Sequence, residues 1–434
     1  MAKAPISVTV VGLGYVGLAT AVGLAEIGHR VTGVDKDEGR VANLKAGLLP
    51  FHDPGLPQAV ERNLANRRLR LTTSIAEALA SAQQVVMIAV QTPSQEDGAT
   101  DLSFVRDAAR EIGGALQNDA LVVVRSTVPV GTWRLVKEIV EQAYGRPVAV
   151  ASNPEFLSEG NAFNAFLNPD RVVVGAQEPA ARKLLGELYA PLGVSVVVTT
   201  PQTAELAKYA ANAFLATEIS FINEMADLAE KLEADIREVS AILRLDRRIG
   251  PQAYLDAGPG YGGSCLPKDV RSLIQTGRQH GLSLEVVESV DRVNERRLLR
   301  ILDRARSLAG DLSGKNVTVW GLTFKPGTDD VRESPAMKLV ARLLDEGAHV
   351  TAHDPLVAEL RQSECLKVQL SPNMYESLAG SDLLIIMTAW EAFKTASPQR
   401  IKEAMAAPNV VDARNVLDAA RMREAGLRYV GLGV

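Results

Sequence analysis

The sequence predicts an α/β protein made of two Rossmann-like, doubly wound parallel-sheet domains joined by a central helical segment. Three observations predict it. Short β-branched runs alternate with helical patterns from Ile6 to Val198, the signature of parallel strands linked by crossover helices. From Gln202 to about Leu245 the β signal stops and helix formers take over, with Ala at 204, 207, 210, 211 and 213. The alternation then resumes near Lys315 and continues through Tyr429-Val430. The expected divisions are residues 1–200, 201–312 and 313–434 of the 434-residue chain, in keeping with roughly 150 residues per domain.

Composition sets the outer limits. With 47% hydrophobic and 23% charged residues the chain can bury a large core. A net charge of −5 and a pI near 5.7 argue against a dedicated nucleic-acid or anionic-membrane surface. No apolar run reaches spanning length, and Met1-Ala-Lys-Ala-Pro-Ile6 leads straight into a strand pattern, so no secretory signal is expected. Two cysteines, Cys265 and Cys365, build no disulfide framework and suit a reducing cytoplasm. The histidines at 29, 52, 280, 349 and 353 have no paired ligand spacing, so no metal site is expected.

The first strand, Ile6 to Val11, ends in Gly12-Leu-Gly14-Tyr15-Val16-Gly17, followed by a helical stretch from Leu18 to Ile27. A second strand, His29 to Val34, ends at Asp35, 18 residues after Gly17. Glycines between strand and helix with an acid at that distance predict a dinucleotide site: a tight turn at Gly12, pyrophosphate approach at Gly14, close helix packing at Gly17, ribose hydroxyls at Asp35. Asp35 repels a 2′-phosphate and favours NAD over NADP, while Lys36 next to it acts the other way. Further strands are expected at 84–90, 120–124, 147–151, 171–174 and 194–198. Their carboxyl ends, where ligands sit on such sheets, carry Gln91-Thr92-Pro93, Ser126-Thr127-Val-Pro129 and Asn153-Pro-Glu155-Phe-Leu-Ser-Glu159-Gly160. Local turn chemistry also favours these residue types; three such segments at one end of one sheet point to a site.

In the helical segment, Lys208 and Asn212 are four apart and share a face, either solvated or lining a cleft. Asp246-Arg-Arg248 and Tyr254 lead into Gly258-Pro-Gly260-Tyr-Gly-Gly-Ser-Cys265-Leu-Pro-Lys-Asp269. Glycines clear side chains from the backbone there, and Pro267-Lys-Asp reads as a first helical turn that sets Cys265 at a helix start. A thiol so placed is a nucleophile or a small packing residue. One helical run is expected over 270–308. In the last domain the loop 321–332 carries Lys325 and Arg332, which either hold a phosphorylated ligand or are ordinary solvated charges. Ser334-Pro335 caps a helix reaching about Glu346, with strands near 348–352, 383–387, 410–411 and 429–430. Without a second G-x-G-x-x-G this domain is not expected to bind NAD, and Cys365 reads as structural.

Six stretches together resemble the UDP-glucose/GDP-mannose dehydrogenase family, and within it the UDP-glucose 6-dehydrogenases: 12–17, Ser126-Thr-Val-Pro129, Asn153-Pro-Glu-Phe-Leu157, Lys208-Tyr-x-x-Asn212, 260–269 and 321–335. The resemblance implies NAD-dependent, four-electron oxidation of UDP-glucose to UDP-glucuronate, and a homodimer or higher assembly joined through the central helices. It assigns the nucleophile to Cys265, the oxyanion- and water-ordering pair to Lys208 and Asp269, water positioning to Thr127 and the hydrolytic general base to Glu155. Sugar-nucleotide contacts fall on Glu155, Phe156, Leu157, Glu159, Lys208, Asn212, Tyr254, Gly260, Phe324 and Lys325, with Arg248 matching a contact supplied by a neighbouring subunit. Asn212 also joins the catalytic set. Cofactor contacts fall on Gly12, Gly14, Tyr15, Val16, Gly17, Asp35, Lys36, Thr92, Pro93, Ser126, Thr127, Glu159 and Arg332. Gln91 and Tyr261 depart from the residues frequent in the family without removing a chemical role.

The nearest alternative is oxidation of another nucleotide sugar, UDP-N-acetylmannosamine or GDP-mannose, by the same thiol chemistry. Ser264-Cys-Leu-Pro-Lys-Asp269 resembles the UDP-glucose branch rather than the Gly-Gly-His-Cys type. A one-step hydroxyacid dehydrogenase would make one NADH and survive loss of Cys265, and a silent nucleotide-sugar sensor would bind without turnover.

Overall fold

The computed structural model describes residues 4–358, 360 and 368–434, so Cys365 lies outside the described residues. The chain divides into two compact units, Met1–Ala211 and Asn212–Val434.

The first unit is organised on eight strands: β1 (Ser7–Val11), β2 (Arg30–Val34), β3 (Leu69–Thr72), β4 (Val85–Ile88), β5 (Leu121–Val124), β6 (Val150–Ser152), β7 (Val172–Gly175) and β8 (Val196–Thr199). They lie in the order β3-β2-β1-β4-β5-β6-β7-β8. β1 therefore has β2 on one side and β4 on the other, and the crevice at such a switch point opens at the strands' carboxyl ends. Residues alternate faces along each strand: Val8, Val10, Met87 and Val123 enter one core cluster, while Val11, Ile88, Val122 and Val124 enter the other. Both faces are covered, which is why these strands read as continuous apolar runs.

Two sequence expectations need correction here. The sheet is not wholly parallel, because β6 and β7 pair antiparallel at Ser152 and Gly175. Their connection holds only the six-residue helix Ala162–Leu167, which at 1.5 Å per residue spans about 9 Å and does not carry the chain back to the start of its neighbour. β3 was not expected at all. It is a four-residue edge strand, Leu-Arg-Leu-Thr, whose apolar side chains are too few to stand out from the helical pattern around them.

The second unit holds β9 (Asn316–Trp320), β10 (His349–His353), β11 (Gln369–Leu370), β12 (Leu383–Ile386), β13 (Asn409–Asp412) and β14 (Arg428–Gly431), in the order β11-β10-β9-β12-β13-β14 with every pair parallel. Its first turn repeats that of the first unit atom for atom. Gly12 N–H donates to the Val34 carbonyl at 2.8 Å and Gly321 N–H to the His353 carbonyl at 2.8 Å; Leu13 N–H donates to Asp35 Oδ2 at 2.8 Å and Leu322 N–H to Asp354 Oδ2 at 2.8 Å. In the second copy, Thr323 and the Trp390 indole also donate to that Asp354 oxygen.

The helical segment is interrupted more often than its composition suggests. The 31-residue helix Pro201–Lys231 stops before Glu233, which has φ 56°, and Asp235 caps a new helix, Ile236–Leu245. The single run expected over 270–308 is two helices, Leu266–Gln279 and Glu285–Ala309, parted at Gly281 with φ 72°. A left-handed residue ends a helix whatever the propensity of the next stretch.

Candidate active site

In the first unit the glycine turn is sterically fixed. Gly12 has φ +96°, and a Cβ there would lie 2.6 Å from the Ala89 carbonyl oxygen, while a Cβ on Gly17 would lie 1.8 Å from the Gly12 carbonyl oxygen. Gly14 faces open space and precedes the helix Tyr15–Glu26, whose first turn has no side-chain cap and no acidic residue. Its N–H groups are thus available to an anion. Asp35 directly follows β2, accepting from Leu13 N–H, Asp37 N–H and Arg40 Nη1 at 2.8, 3.0 and 2.8 Å. Exposed Lys36 lies over the Phe104 ring at 5.2 Å. Turn, uncapped helix and terminal acid together fit a dinucleotide. Val16 is half-buried beside them. Tyr15 reaches further, its hydroxyl lying 3.0 Å from Asp53 Oδ2 and 2.8 Å from the Ser158 carbonyl oxygen, next to half-buried Glu159.

The ends of β4 and β5 are tied to one another. Thr92 Oγ1 donates to the Thr127 carbonyl at 3.0 Å and Ser126 Oγ to the Val90 carbonyl at 2.6 Å; Pro93 is exposed and Thr127 half-buried. Beyond β6, Glu155 and Lys208 form an ion pair at 3.2 Å with side chains only 4% and 5% exposed. Burial alone would raise the Glu155 pKa. The Lys208 ammonium, the Leu157 N–H at 2.5 Å and the nearby Arg125 outweigh it and hold the carboxyl below its ordinary value. The Lys208 ammonium also lies 5.4 Å from the Phe156 ring centre, and Glu155, Phe156 and Leu157 line a cavity of about 90 Å³ with Arg125, Arg171 and Tyr189.

Two residues in this unit escaped sequence reasoning. Buried Arg125 donates from Nη1 to the carbonyls of Asn153 and Pro154 at 3.0 and 3.1 Å, fixing the turn that presents Glu155. Glu205, 3% exposed, accepts from Gly131 N–H, Trp133 N–H and Ser152 Oγ at 2.7, 2.9 and 3.0 Å. An acid three residues before Lys208 in an alanine-rich helix was the available signal.

In the second unit, exposed Cys265 stands at the N-cap of Leu266–Gln279, with Pro267 in the first turn. Its carbonyl accepts Asp269 N–H at 2.9 Å, and Ser264 Oγ lies 3.6 Å from its sulfur. Asp269 is 1% exposed; its carboxylate accepts from Asn212 Nδ2 at 2.6 Å and from Lys268 Nζ at 2.5 Å. The glycine loop is held peptide by peptide: Gly258 between Asn223 Oδ1 and Arg297 Nε, each at 2.8 Å, and Tyr261 by both ends of the Asn294 amide at 2.8 and 3.1 Å. Gly260, between them, has φ +102°, and a Cβ there would lie 2.4 Å from Asn294 Oδ1. Lys325 lies over the Phe324 ring at 5.7 Å, and the exposed Arg332 side chain is held by Asp330. Half-buried Arg414, unmarked in the sequence, donates to the Met387 and Phe324 carbonyls at 3.0 and 3.2 Å, and desolvation of its guanidinium lowers its pKa to about 10. Arg248 is 88% exposed and paired with Asp246, and Tyr254 is 49% exposed.

The buried pair makes a prediction about stability. Lys208→Met leaves the Glu155 carboxylate buried without its ammonium and should cost about 3–5 kcal/mol, whereas Lys208→Met combined with Glu155→Gln should cost much less than the two single changes added. Urea unfolding of the four proteins measures the coupling, and strict additivity would contradict it.

The chain matches three parts of one family: the NAD binding domain of the UDP-glucose/GDP-mannose dehydrogenase family over residues 6–193, its central domain over 202–296 and its UDP binding domain over 318–419. It is 44% identical over 436 residues to the UDP-glucose 6-dehydrogenase of Rhizobium meliloti, covering 99% of each chain. Its fold is similar to that of a UDP-glucose dehydrogenase from Pyrobaculum islandicum, with TM-score 0.93, 40% identity and coverage of 99% and 98% of the two chains. The UDP-D-ManNAc dehydrogenase of Pyrococcus horikoshii is more distant in sequence, at 26% identity, with TM-score 0.88 and 99% coverage of each chain. Glycine turn, cysteine loop and most of the second sheet thus fall within matched domains in order, and the chain belongs to the UDP-glucose/GDP-mannose dehydrogenase family.

Proposed function

We propose that this chain oxidises UDP-glucose to UDP-glucuronate with NAD, in two successive two-electron steps through covalent intermediates on Cys265. The observation that carries the reading is an exposed thiol at a helix N-terminus in a chain whose other unit holds an uncapped glycine turn suited to a dinucleotide. The higher identity to UDP-glucose enzymes than to the UDP-D-ManNAc enzyme favours glucose as the sugar.

NAD supplies the hydride acceptor. The first oxidation takes a hydride from C6 of the sugar and a proton from its hydroxyl, giving an aldehyde. The helix N-terminus favours negative charge on the Cys265 sulfur, which adds to the aldehyde carbon as a thiohemiacetal. Lys208 steadies the oxyanion, with Asp269 and Asn212 ordering the groups around it. Loss of a second hydride leaves a thioester. Ionised Glu155 takes a proton from water held by Thr127, the water oxygen attacks the acyl carbon, and thiolate and carboxylate separate. Per substrate, two NAD are reduced, one water is consumed and three protons leave. Gly12, Gly14, Val16, Gly17 and Asp35 serve the dinucleotide, with Tyr15, Lys36, Thr92, Pro93, Ser126, Thr127, Glu159 and Arg332 beside it. Phe156, Leu157, Glu159, Tyr254, Gly260, Phe324 and Lys325 serve the sugar nucleotide, the UDP moiety belonging to the C-terminal domain. Arg248, exposed, serves a neighbouring subunit.

An assembly through the central helices is part of the same proposal. Phe214, Phe221 and Leu228 are 64%, 46% and 49% exposed at seven-residue spacing on one helix, a stripe of the kind that buries against a second copy.

Two measurements test these points. Limiting UDP-glucose should yield two NADH per substrate in the wild type and no completed turnover in Cys265→Ser; one NADH per substrate, or indifference to the substitution, would return Cys265 to a packing role. Light scattering should find a dimer or larger assembly that Phe221→Glu dissociates, and a wild-type monomer at micromolar concentration would contradict the assembly.

A further inference from the structure

Among the described residues, the carboxylate of Glu205 is a buried acid that fastens three separately derived parts of the proposed catalytic apparatus and that the chemistry above does not use. Gly131 and Trp133, two of its donors, lie where the Ser126-Thr127-Val-Pro129 turn enters the helix Thr132–Tyr144, so Glu205 supplies the cap that this helix lacks from its own Gly131 N-cap. Ser152, the third donor, ends β6 three residues before Glu155. Glu205 itself lies three residues before Lys208, on the same helical face. Glu205 and Lys208 further line a small cavity of about 10 Å³ with Ser126, Thr127 and Ser152.

We propose that Glu205 is a positioning residue: its ionised carboxylate holds the Thr127 turn, the β6 end that leads to Glu155 and the helix of Lys208 in catalytic register, and its protonation lets that register go. The inference rests on the roles given above to Thr127, Glu155 and Lys208. All three contacts give hydrogens to Glu205, so the ionised form accepts all of them, whereas the protonated form must turn its own O–H away from at least one N–H. Desolvation by burial raises its pKa, against the opposing pull of Gly131, Trp133, Ser152 and Arg134, to about 7. Lys208, facing the same cavity, is already paired with Glu155, and Arg134 sits in the first turn of the capped helix. The carboxylate therefore changes charge near neutrality.

The signs separate positioning from mere stability. An acid whose folded pKa is raised stabilises the fold below its unfolded pKa, and that contribution is lost as pH rises through about 7. Turnover should move oppositely, rising with pH over the same interval. In Glu205→Gln, kcat should fall on the order of 10- to 100-fold with KM for NAD and UDP-glucose changed by less than about 3-fold, and the limb near pH 7 should vanish from both profiles. Wild-type kcat with the limb intact would overturn the proposal. Ser152→Ala serves as the second variant, and decides the matter if Glu205→Gln does not fold. Removing one donor to the ionised form should shift the midpoint of the limb to higher pH and lower kcat below it, and an unmoved midpoint would overturn the proposal. Lys208→Met, run alongside, isolates the reading beneath it: full activity there would remove Lys208 from the chemistry, while the midpoint in Ser152→Ala still reports on Glu205.

Discussion

The buried ion pair of Glu155 and Lys208 is the constraint on which the proposed catalytic side of the first unit depends. Neither charge is tolerable alone at 4% and 5% exposure, so the end of β6 and the helix Pro201–Lys231 must meet with ångström accuracy. The surroundings serve that meeting. Arg125 fixes the Asn153–Pro154 backbone, Leu157 N–H completes the carboxylate, and Glu205 binds the same helix to the end of β6 and to the turn after β5. The pair holds the Glu155 carboxyl below its ordinary pKa and fixes the Lys208 charge in space, as the proposed roles of base and oxyanion partner require.

The second unit solves a different problem with backbone rather than charge. An exposed thiol must be presented at a defined point by a loop with almost no side chains, and a glycine loop alone would be floppy. Amide and guanidinium groups from helices remove that freedom: Asn223 and Arg297 hold Gly258, Asn294 holds Tyr261, and the Arg332 carbonyl accepts Gly263 N–H at 3.1 Å. Function and fold are coupled there, since the loop's glycines leave room for the side chains that immobilise it.

Much of this was legible in the sequence, and what was not has physical causes. The two sheets, the glycine turn, the helix start at Cys265 and the Ser334 cap follow from local rules, because β-branched runs, G-x-G-x-x-G and Ser-Pro act through their own few residues. The reversal between β6 and β7 was invisible because strand direction depends on how far a connection travels. The break at Gly281 falls between Leu266–Gln279 and Glu285–Ala309, and a single glycine within so long a helical pattern does not by itself mark an end. Arg125, Glu205 and Arg414 share a reason for being hard to read: each acts by accepting from or donating to backbone brought near only by the fold, and even the spacing of Glu205 from Lys208 marks the acid without marking its partners. The turn at Gly321 and Asp354, the twin of Gly12 and Asp35, shows the limit from the other side. The same strand–turn–acid geometry recurs, yet Thr323 and Trp390 spend the second acid on the protein itself.

The central claim, that both oxidations proceed on Cys265, is tested most directly by capturing the acyl enzyme. Glu155→Gln, supplied with NAD and UDP-glucose and quenched in acid, should carry a UDP-glucuronyl thioester on the peptide containing Cys265, because its hydrolysis lacks the carboxylate base. Release of NADH with that peptide unmodified at every quench time, or with the adduct on another residue, would contradict the account.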